Sequence, residues 1–251
     1  MNKKTKKIEN VSDEIYEILK SVREETTKHL GDEDANQIIR FHSNNWTDIT
    51  HWIFSNYNFK EEQMNVVSFQ YSRLFKELYW LHILFHNGNY PMVYRNLRYI
   101  LEMICQAYYV DSKYPDLFLD GQLEKMKEIE EKVYGWRLVE TVLCEILDRN
   151  NQQIQSNFKP LWNHLNKHVH PSGKQMDIVA LEDIESLMRD SFNENLARDA
   201  LRTTDEIFDI VKMIIFKKFP KIKEEGLKYK FRDKWEQYLP NTMKIIKSKN
   251  S

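Results

Sequence analysis

The chain is poor in the residues that build disulfide frameworks and tight turns. It contains 2 cysteines, 6 glycines and 6 prolines among 251 residues. Two cysteines can form neither a disulfide framework nor a cysteine-rich zinc site, so we interpret them as reduced thiols of a cytoplasmic protein. So few turn-forming residues disfavour a many-stranded sandwich or barrel and favour helices.

Several functional signatures are also missing. No apolar run is long enough to cross a membrane, and no apolar stretch follows the lysine-rich residues 1–10, so we expect neither a membrane span nor a signal peptide. The chain has no glycine-rich phosphate loop, nucleophile elbow, His-Glu-x-x-His pair or calcium loop. These absences exclude common site designs, although not enzymes in general, and no motif indicates a cofactor.

The charges that are present are unevenly distributed. The whole chain has 37 basic and 38 acidic side chains. Residues 217–251, by contrast, contain 11 basic and 4 acidic ones, a net of +7. Aromatic residues are interleaved with these charges, so this segment could follow a phosphate backbone and stack on bases. The alternative is a solvated last helix whose aromatic side chains pack on the body of the protein.

The spacing of apolar residues predicts an all-α protein, an up-and-down bundle of about eight helices. The longest predicted helices cover residues 60–86, 91–112 and 192–219, and Asn87-Gly88 is interpreted as the stop between the first two. Shorter helices are predicted at 12–30, within 32–58, at 117–133, 136–149 and 161–169, and from about 181 onwards. Residues 150–157 are expected to form a polar loop, with Pro160 opening the helix that follows.

We predict a single folded domain at residues 11–220. It is preceded by a basic, disordered N-terminus at 1–10 and followed by a basic helix or tail at 221–251. No internal repeat or low-complexity linker divides the central part.

Two stripes of side chains run side by side along the predicted helix 91–112. The first is apolar, recurs every three or four positions and must face the core; its members are Tyr94, Leu97, Leu101, Ile104 and Tyr108. The second, one position further on, contains Arg95, Arg98 and Glu102. Adjacent residues differ by about 100° around a helix, so these charged groups flank the buried seam, and Glu102 is placed to neutralise both arginines.

Histidines four positions apart share one face of a helix. His164 and His168 form one such pair, and His82 and His86 form another. This spacing suits two ligands of a metal ion, but nothing nearby supplies an obvious third ligand, so we predict no metal site.

The segment 94–102, considered together with the phrase Leu161-Trp-Asn-His-Leu-Asn-Lys-His-Val-His-Pro171, resembles the HEPN superfamily. The resemblance covers about residues 88–172. It implies an α-helical bundle that is often dimeric and, in active members, a metal-independent endoribonuclease. The family's catalytic phrase is an Arg, then a polar residue, then a His four to six positions after the Arg. This sequence departs from it, because no Arg stands four to six positions before His170; the nearest cation is Lys167 and the nearest polar residues are Asn163 and Asn166.

RNA cleavage without a metal needs a base, an acid and cationic donors for the phosphate. We assign His170 as the candidate acid/base with His168 second, supported by Lys167. Arg95 and Arg98 could hold a phosphate if their helix packs against the helix ending at His170. The alternative is structural: an Arg–Glu–His cluster would join two helices, and His170 would cap its own helix.

The resemblance, together with the missing Arg before His170, implies a HEPN-like, non-catalytic module that binds RNA, a nucleotide or a partner protein. The alternative is an endoribonuclease that uses His170. The resemblance implies a prokaryotic defence or toxin–antitoxin setting, with an antitoxin or a second copy of the chain as partner.

Overall fold

The computed structural model describes residues 65–169 apart from 131 and 149, residues 194–220, and scattered positions between 17 and 28. Predictions for residues 1–10, 32–58 and 221–251 lie outside this part. In the described ranges every regular element of secondary structure is a helix, which confirms the all-α prediction. The six bounded helices are α1 (Val66–His86), α2 (Tyr90–Lys113), α3 (Leu119–Glu130), α4 (Gly135–Leu147), α5 (Asn151–Val169) and α6 (Glu194–Lys218).

Helix α2 is the centre of the bundle, and each of the other five helices contacts it. Of its 24 residues, 13 are buried. The predicted apolar stripe is fully buried, from Tyr94 at 0% exposure to Tyr108 at 4%. Burial extends to Ile100, Met103 and Ala107, because helices cover α2 on more than one side and a single stripe no longer suffices.

The connection between α1 and α2 is the three-residue turn 87–89, which contains the predicted stop Asn87-Gly88. The Asn87 N–H donates to Ile83 O and the Gly88 N–H to Phe85 O. Gly88 has φ +67°, a left-handed conformation that glycine adopts without a Cβ penalty. The Asn89 side chain then accepts the Met92 N–H at the start of α2. Asn87-Gly88 therefore ends a helix and does not form a β-hairpin.

The predicted loop at 150–157 is wrong, because α5 is one continuous helix from Asn151 to Val169 with Pro160 inside it. The Asn150 side chain accepts the Gln153 N–H and opens the helix ten residues before the proline. Its buried residues Ile154, Trp162 and Leu165 keep helical spacing on both sides of Pro160. Tertiary packing of this apolar face outweighs the hydrogen bond that a proline removes from a helix interior.

The other helices differ from prediction mainly at their ends. Helix α1 begins after its N-cap Asn65, and residues 60–64 lie outside the described part. Helix α4 ends at Leu147, where Asp148 takes a left-handed φ of 51°. Among the described residues, no helix is both long enough and apolar enough to cross a membrane.

Candidate acid–base site

The packing of α2 against α5 brings together the two segments that carry the predicted site. Arg95 Nε donates to the backbone O of His168 over 2.7 Å. Arg98 Nη1 donates to Asn166 Oδ1 over 2.5 Å. The arginine-bearing helix therefore lies directly beside the histidine-bearing helix. His170, the first acid/base candidate, lies outside the described residues.

Arg98 is held by contacts with three side chains. Its Nη2 lies 3.1 Å from Glu102 Oε1, and its guanidinium carbon lies 4.8 Å from the ring centroid of Trp162. With the Asn166 bond, these contacts leave the side chain 15% exposed. Arg98 thus joins α2 to α5, and phosphate could reach it only by displacing these partners.

Arg95 has different surroundings. It is exposed, and its Nη1 contacts the sulfur of Met92, a weak acceptor, at 3.6 Å. Glu102 contacts Arg98 and not Arg95 among the described residues, so the prediction that it neutralises both arginines is wrong. Because Arg95 satisfies a carbonyl at the end of α5, it acts as a side-chain cap for that helix.

Asn163 and Lys167, two further predicted site residues, are exposed on α5. Neither side chain forms a hydrogen bond or ion pair with another described residue. The positive charge of Lys167 still acts on the neighbouring His168, whose pKa it helps to lower.

Tyr94 organises a second group, which we call the histidine cluster: Tyr94, His164, His168, Asp199 and Arg202. The Tyr94 ring, fully buried, stacks on His168 with centroids 4.0 Å apart. It meets His164 edge-on at 5.0 Å. The two imidazole centroids are 5.5 Å apart. One buried aromatic ring therefore positions both imidazoles.

Asp199 brings α6 into the cluster. Its Oδ2 accepts the Tyr94 hydroxyl at 2.7 Å and lies 2.7 Å from His164 Nε2. Its Oδ1 lies 2.6 Å from Arg202 Nη2. One carboxylate oxygen therefore binds the Tyr94 hydroxyl and lies against one nitrogen of the His164 ring.

The cluster is open to solvent on one side. The His164 side chain is 31% exposed and the Asp199 side chain 26%, while Arg202 is 70% exposed. A small polar group could therefore reach the histidines, and Arg202 would present a positive charge there.

Asp199 and His168 have pKa values that differ from their ordinary ones. Burial raises the pKa of Asp199, but the Tyr94 hydrogen bond and the charges of His164 and Arg202 outweigh burial, so the net pKa is lowered. Burial first, and then the charge of His164, lower the pKa of His168 below 6.5. Asp199 is thus a carboxylate at neutral pH, and His168 is a neutral imidazole able to accept a proton.

The lowered pKa of His168 makes stability depend on pH. The unfolded chain binds a proton near the ordinary pKa of about 6.5, whereas the folded chain binds it only at lower pH. Stability should therefore fall as the pH drops below about 6.5, and His168→Gln should flatten that fall. Urea unfolding measured between about pH 7.5 and about pH 5.5 tests this, with His82→Gln on α1 as the control. Equal slopes in wild type and His168→Gln would contradict it.

Asp199 and Arg202 are functional candidates that sequence reasoning missed. Asp199 is the one that contacts both Tyr94 and His164. It lies beside a seam of small buried residues on α6, namely Ala197, Ala200 and Thr203. Small residues at such spacing let a helix approach its neighbour closely, so an adjacent carboxylate comes within reach of the next helix. That seam is the signal from which the contact could have been suspected.

A metal site was not predicted. Within the described ranges, no group of three or more His, Cys, Asp or Glu side chains is arranged to hold a metal ion. The second histidine pair, His82 and His86, lies on α1 with ring centroids 4.3 Å apart.

Comparisons of the chain with protein-family models, with curated proteins and with solved structures each find no match. The HEPN assignment thus stays a resemblance in sequence.

Proposed function

We propose that the chain is a HEPN-like helical protein that cleaves RNA without a metal ion, with the histidine cluster as its acid–base centre. The observation that supports the proposal best is the pairing of two partly exposed imidazoles in different surroundings. His164 faces the Asp199 carboxylate at 2.7 Å, and His168 has a lowered pKa. Metal-free cleavage needs such a division of roles between a proton acceptor and a proton donor.

In the proposed reaction, neutral His168 takes the proton of the ribose 2′-hydroxyl, and the oxygen attacks the adjacent phosphorus. The bond from phosphorus to the 5′-oxygen breaks, and His164 gives its proton to the leaving oxygen. Asp199 lies 2.7 Å from His164 Nε2 and keeps the ring in place for that transfer. The products are a 2′,3′-cyclic phosphate and a 5′-hydroxyl.

Two exposed cations border the imidazoles and would attract the phosphate. Arg202 lies beside Asp199, and Arg95 lies at the end of α5 next to His168. Arg98 takes no part in phosphate binding in this reaction, because Glu102 and Asn166 already bind its guanidinium group. This differs from the site predicted from sequence, where both arginines were phosphate ligands.

A second candidate function is the non-catalytic binding module. It is favoured by the contacts of Arg98 with Glu102 and Asn166. These contacts join two helices and have no need of a catalytic role. In that case RNA, a nucleotide or a partner protein binds without turnover. The defence or toxin–antitoxin setting, an antitoxin partner and a homodimer belong to either proposal through the sequence resemblance alone.

We expect the full-length chain to cleave single-stranded RNA in the presence of EDTA and to leave 2′,3′-cyclic phosphate ends. End analysis of the fragments checks this directly, because metal-dependent nucleases leave other ends. Cleavage that requires a divalent ion, or fragments with 3′-hydroxyl ends, would contradict the proposal. Binding of the same RNA that weakens with salt but gives no products would favour the binding module instead.

A further inference from the structure

A second concave site lies on the bundle away from the histidine cluster. It is a cleft of about 330 Å³ formed by α1, α2, α3 and the start of α4. Small-molecule sites usually begin at about this volume, and a nucleoside is of matching size. The apolar part of its lining includes Met103, Met126 and Leu138.

Two tyrosines line this cleft and remain exposed. Tyr99 on α2 is 43% exposed, and Tyr134, just before α4, is 71% exposed. Aromatic rings held at the rim of a cleft provide stacking surfaces for a flat ligand. Base–aromatic stacking of this kind is common in nucleic-acid-binding proteins.

The polar groups of the cleft supply both acceptors and donors. Glu102 contributes a carboxylate, 33% exposed, whose Oε1 is fixed by Arg98; in the described part of the chain only that oxygen is engaged. Arg73 contributes a guanidinium, and its Nη1 donates to Gln70 Oε1 at 3.3 Å. Among the described residues, the Gln70 amide nitrogen has only the Met126 sulfur, at 4.0 Å, as a partner, and a thioether is a weak acceptor.

We propose that this cleft binds a guanine base, either as a free nucleoside or nucleotide or within single-stranded RNA. A carboxylate accepts hydrogen bonds from the two adjacent N–H groups on the Watson–Crick edge of guanine. A guanidinium donates to guanine O6 and N7, the commonest specific contact of arginine with a base. Adenine lacks the N1–H and 2-amino donors, so Glu102 selects against it.

The guanine site does not depend on catalysis at the histidine cluster. Tyr94 and Glu102 are eight positions apart on α2, which is about 12 Å along the helix axis. The binding experiment below can therefore succeed or fail whether or not the chain cleaves RNA.

Calorimetric titration of the full-length chain with guanosine, adenosine and cytidine tests the proposal. Guanosine should bind at least about tenfold more tightly than either other nucleoside, since one good bidentate pair discriminates bases by that order. A guanosine-containing and a guanosine-free tetranucleotide form the second arm. Tighter binding of free guanosine identifies a mononucleotide site, and tighter binding of the guanosine-containing oligonucleotide identifies a site for RNA.

Two variants assign the binding to this cleft. Tyr134→Ala should weaken guanosine binding about tenfold by removing a stacking surface, whereas Tyr79→Ala, which removes another exposed tyrosine (65% exposed), should leave it unchanged. Glu102→Gln should abolish the preference for guanosine over adenosine. Asn166→Ala, which removes a different hydrogen-bond partner of Arg98, should preserve that preference. The proposal would be overturned if no nucleoside bound. It would also be overturned if neither Tyr134→Ala nor Glu102→Gln altered the affinity or the preference for guanosine.

Discussion

Replacement of either imidazole of the histidine cluster should lower the rate of RNA cleavage about a hundredfold to ten-thousandfold, the range in which one acid–base group contributes. His168→Ala removes the proposed base, and His164→Ala removes the proposed acid. Their effects should not add in the double variant, because the two groups act in one reaction step. Single-turnover cleavage of a labelled RNA measures these rates.

The pH profile of cleavage tests the role of His168 as the base. His168 must be neutral to accept a proton, so kcat/KM should fall as the pH drops below its pKa, which burial holds below 6.5. Asp199→Asn should move this fall to lower pH, because the charge of Asp199 partly offsets the lowering of the His168 pKa by burial and by His164. A merely structural role for Asp199 would lower the rate equally at every pH.

Controls distinguish this site from its neighbours. Asn163→Ala alters an exposed residue one position before His164 and should leave cleavage unchanged. His170→Ala tests the acid/base assignment predicted from sequence. Full activity in His164→Ala and His168→Ala, together with loss in His170→Ala, would move the chemistry to His170.

The sequence was a good guide to the centre of the fold because burial there follows local periodicity. The stripe from Tyr94 to Tyr108 repeats at helical spacing, and all of it is buried against neighbouring helices. The same logic explains the error at Pro160. Taken alone, Pro160 predicts a helix start, but Ile154 and Leu165 belong to one apolar helix face that continues across it.

The candidate site was predictable only in part. Arg95 could be placed beside the core because it lies one position after the buried Tyr94, and His168 because it lies three positions after the buried Leu165. Their partner Asp199 could not, since it is 31 positions after His168 and periodicity does not state which helices touch. Tertiary contacts between α2, α5 and α6 decide that the carboxylate meets Tyr94 and His164.

The largest loss of stability should come from a residue that carries no proposed activity, Asp111 near the end of α2. Its side chain is 0% exposed and lies 3.3 Å from Lys218 Nζ at the end of α6. Its two oxygens also accept the N–H groups of Val66, at 2.9 Å, and Val67, at 3.1 Å. One carboxylate thereby joins three helices and satisfies two of the unpaired N–H groups at the start of α1.

Asp111→Ala would leave these two N–H groups and the Lys218 ammonium without their partner. Breaking one side of a buried ion pair costs about 3–5 kcal/mol, a large share of the stability of a typical domain. Asp111→Asn retains one acceptor oxygen and should cost less. Unfolding in guanidinium, monitored by circular dichroism, gives the free energy of unfolding of both variants. Glu128→Gln, which breaks an exposed ion pair with Lys125, should leave stability almost unchanged.

The contribution of Asp111 to the free energy of unfolding should depend on pH, and the pKa of Asp111 gives the direction of that change. Burial raises the pKa of Asp111 above 3.8, even though Lys218 and the two backbone N–H groups lower it. The folded chain therefore keeps the carboxyl proton of Asp111 to a higher pH than the unfolded chain does. Ionisation of Asp111 consequently reduces stability as the pH rises from the unfolded pKa to the folded pKa. The advantage of Asp111 over Asn in unfolding free energy should shrink from about pH 3.8 upwards. An advantage that grows with pH would mean that Lys218 and the helix N-terminus outweigh burial, because the folded pKa would then lie below the unfolded one.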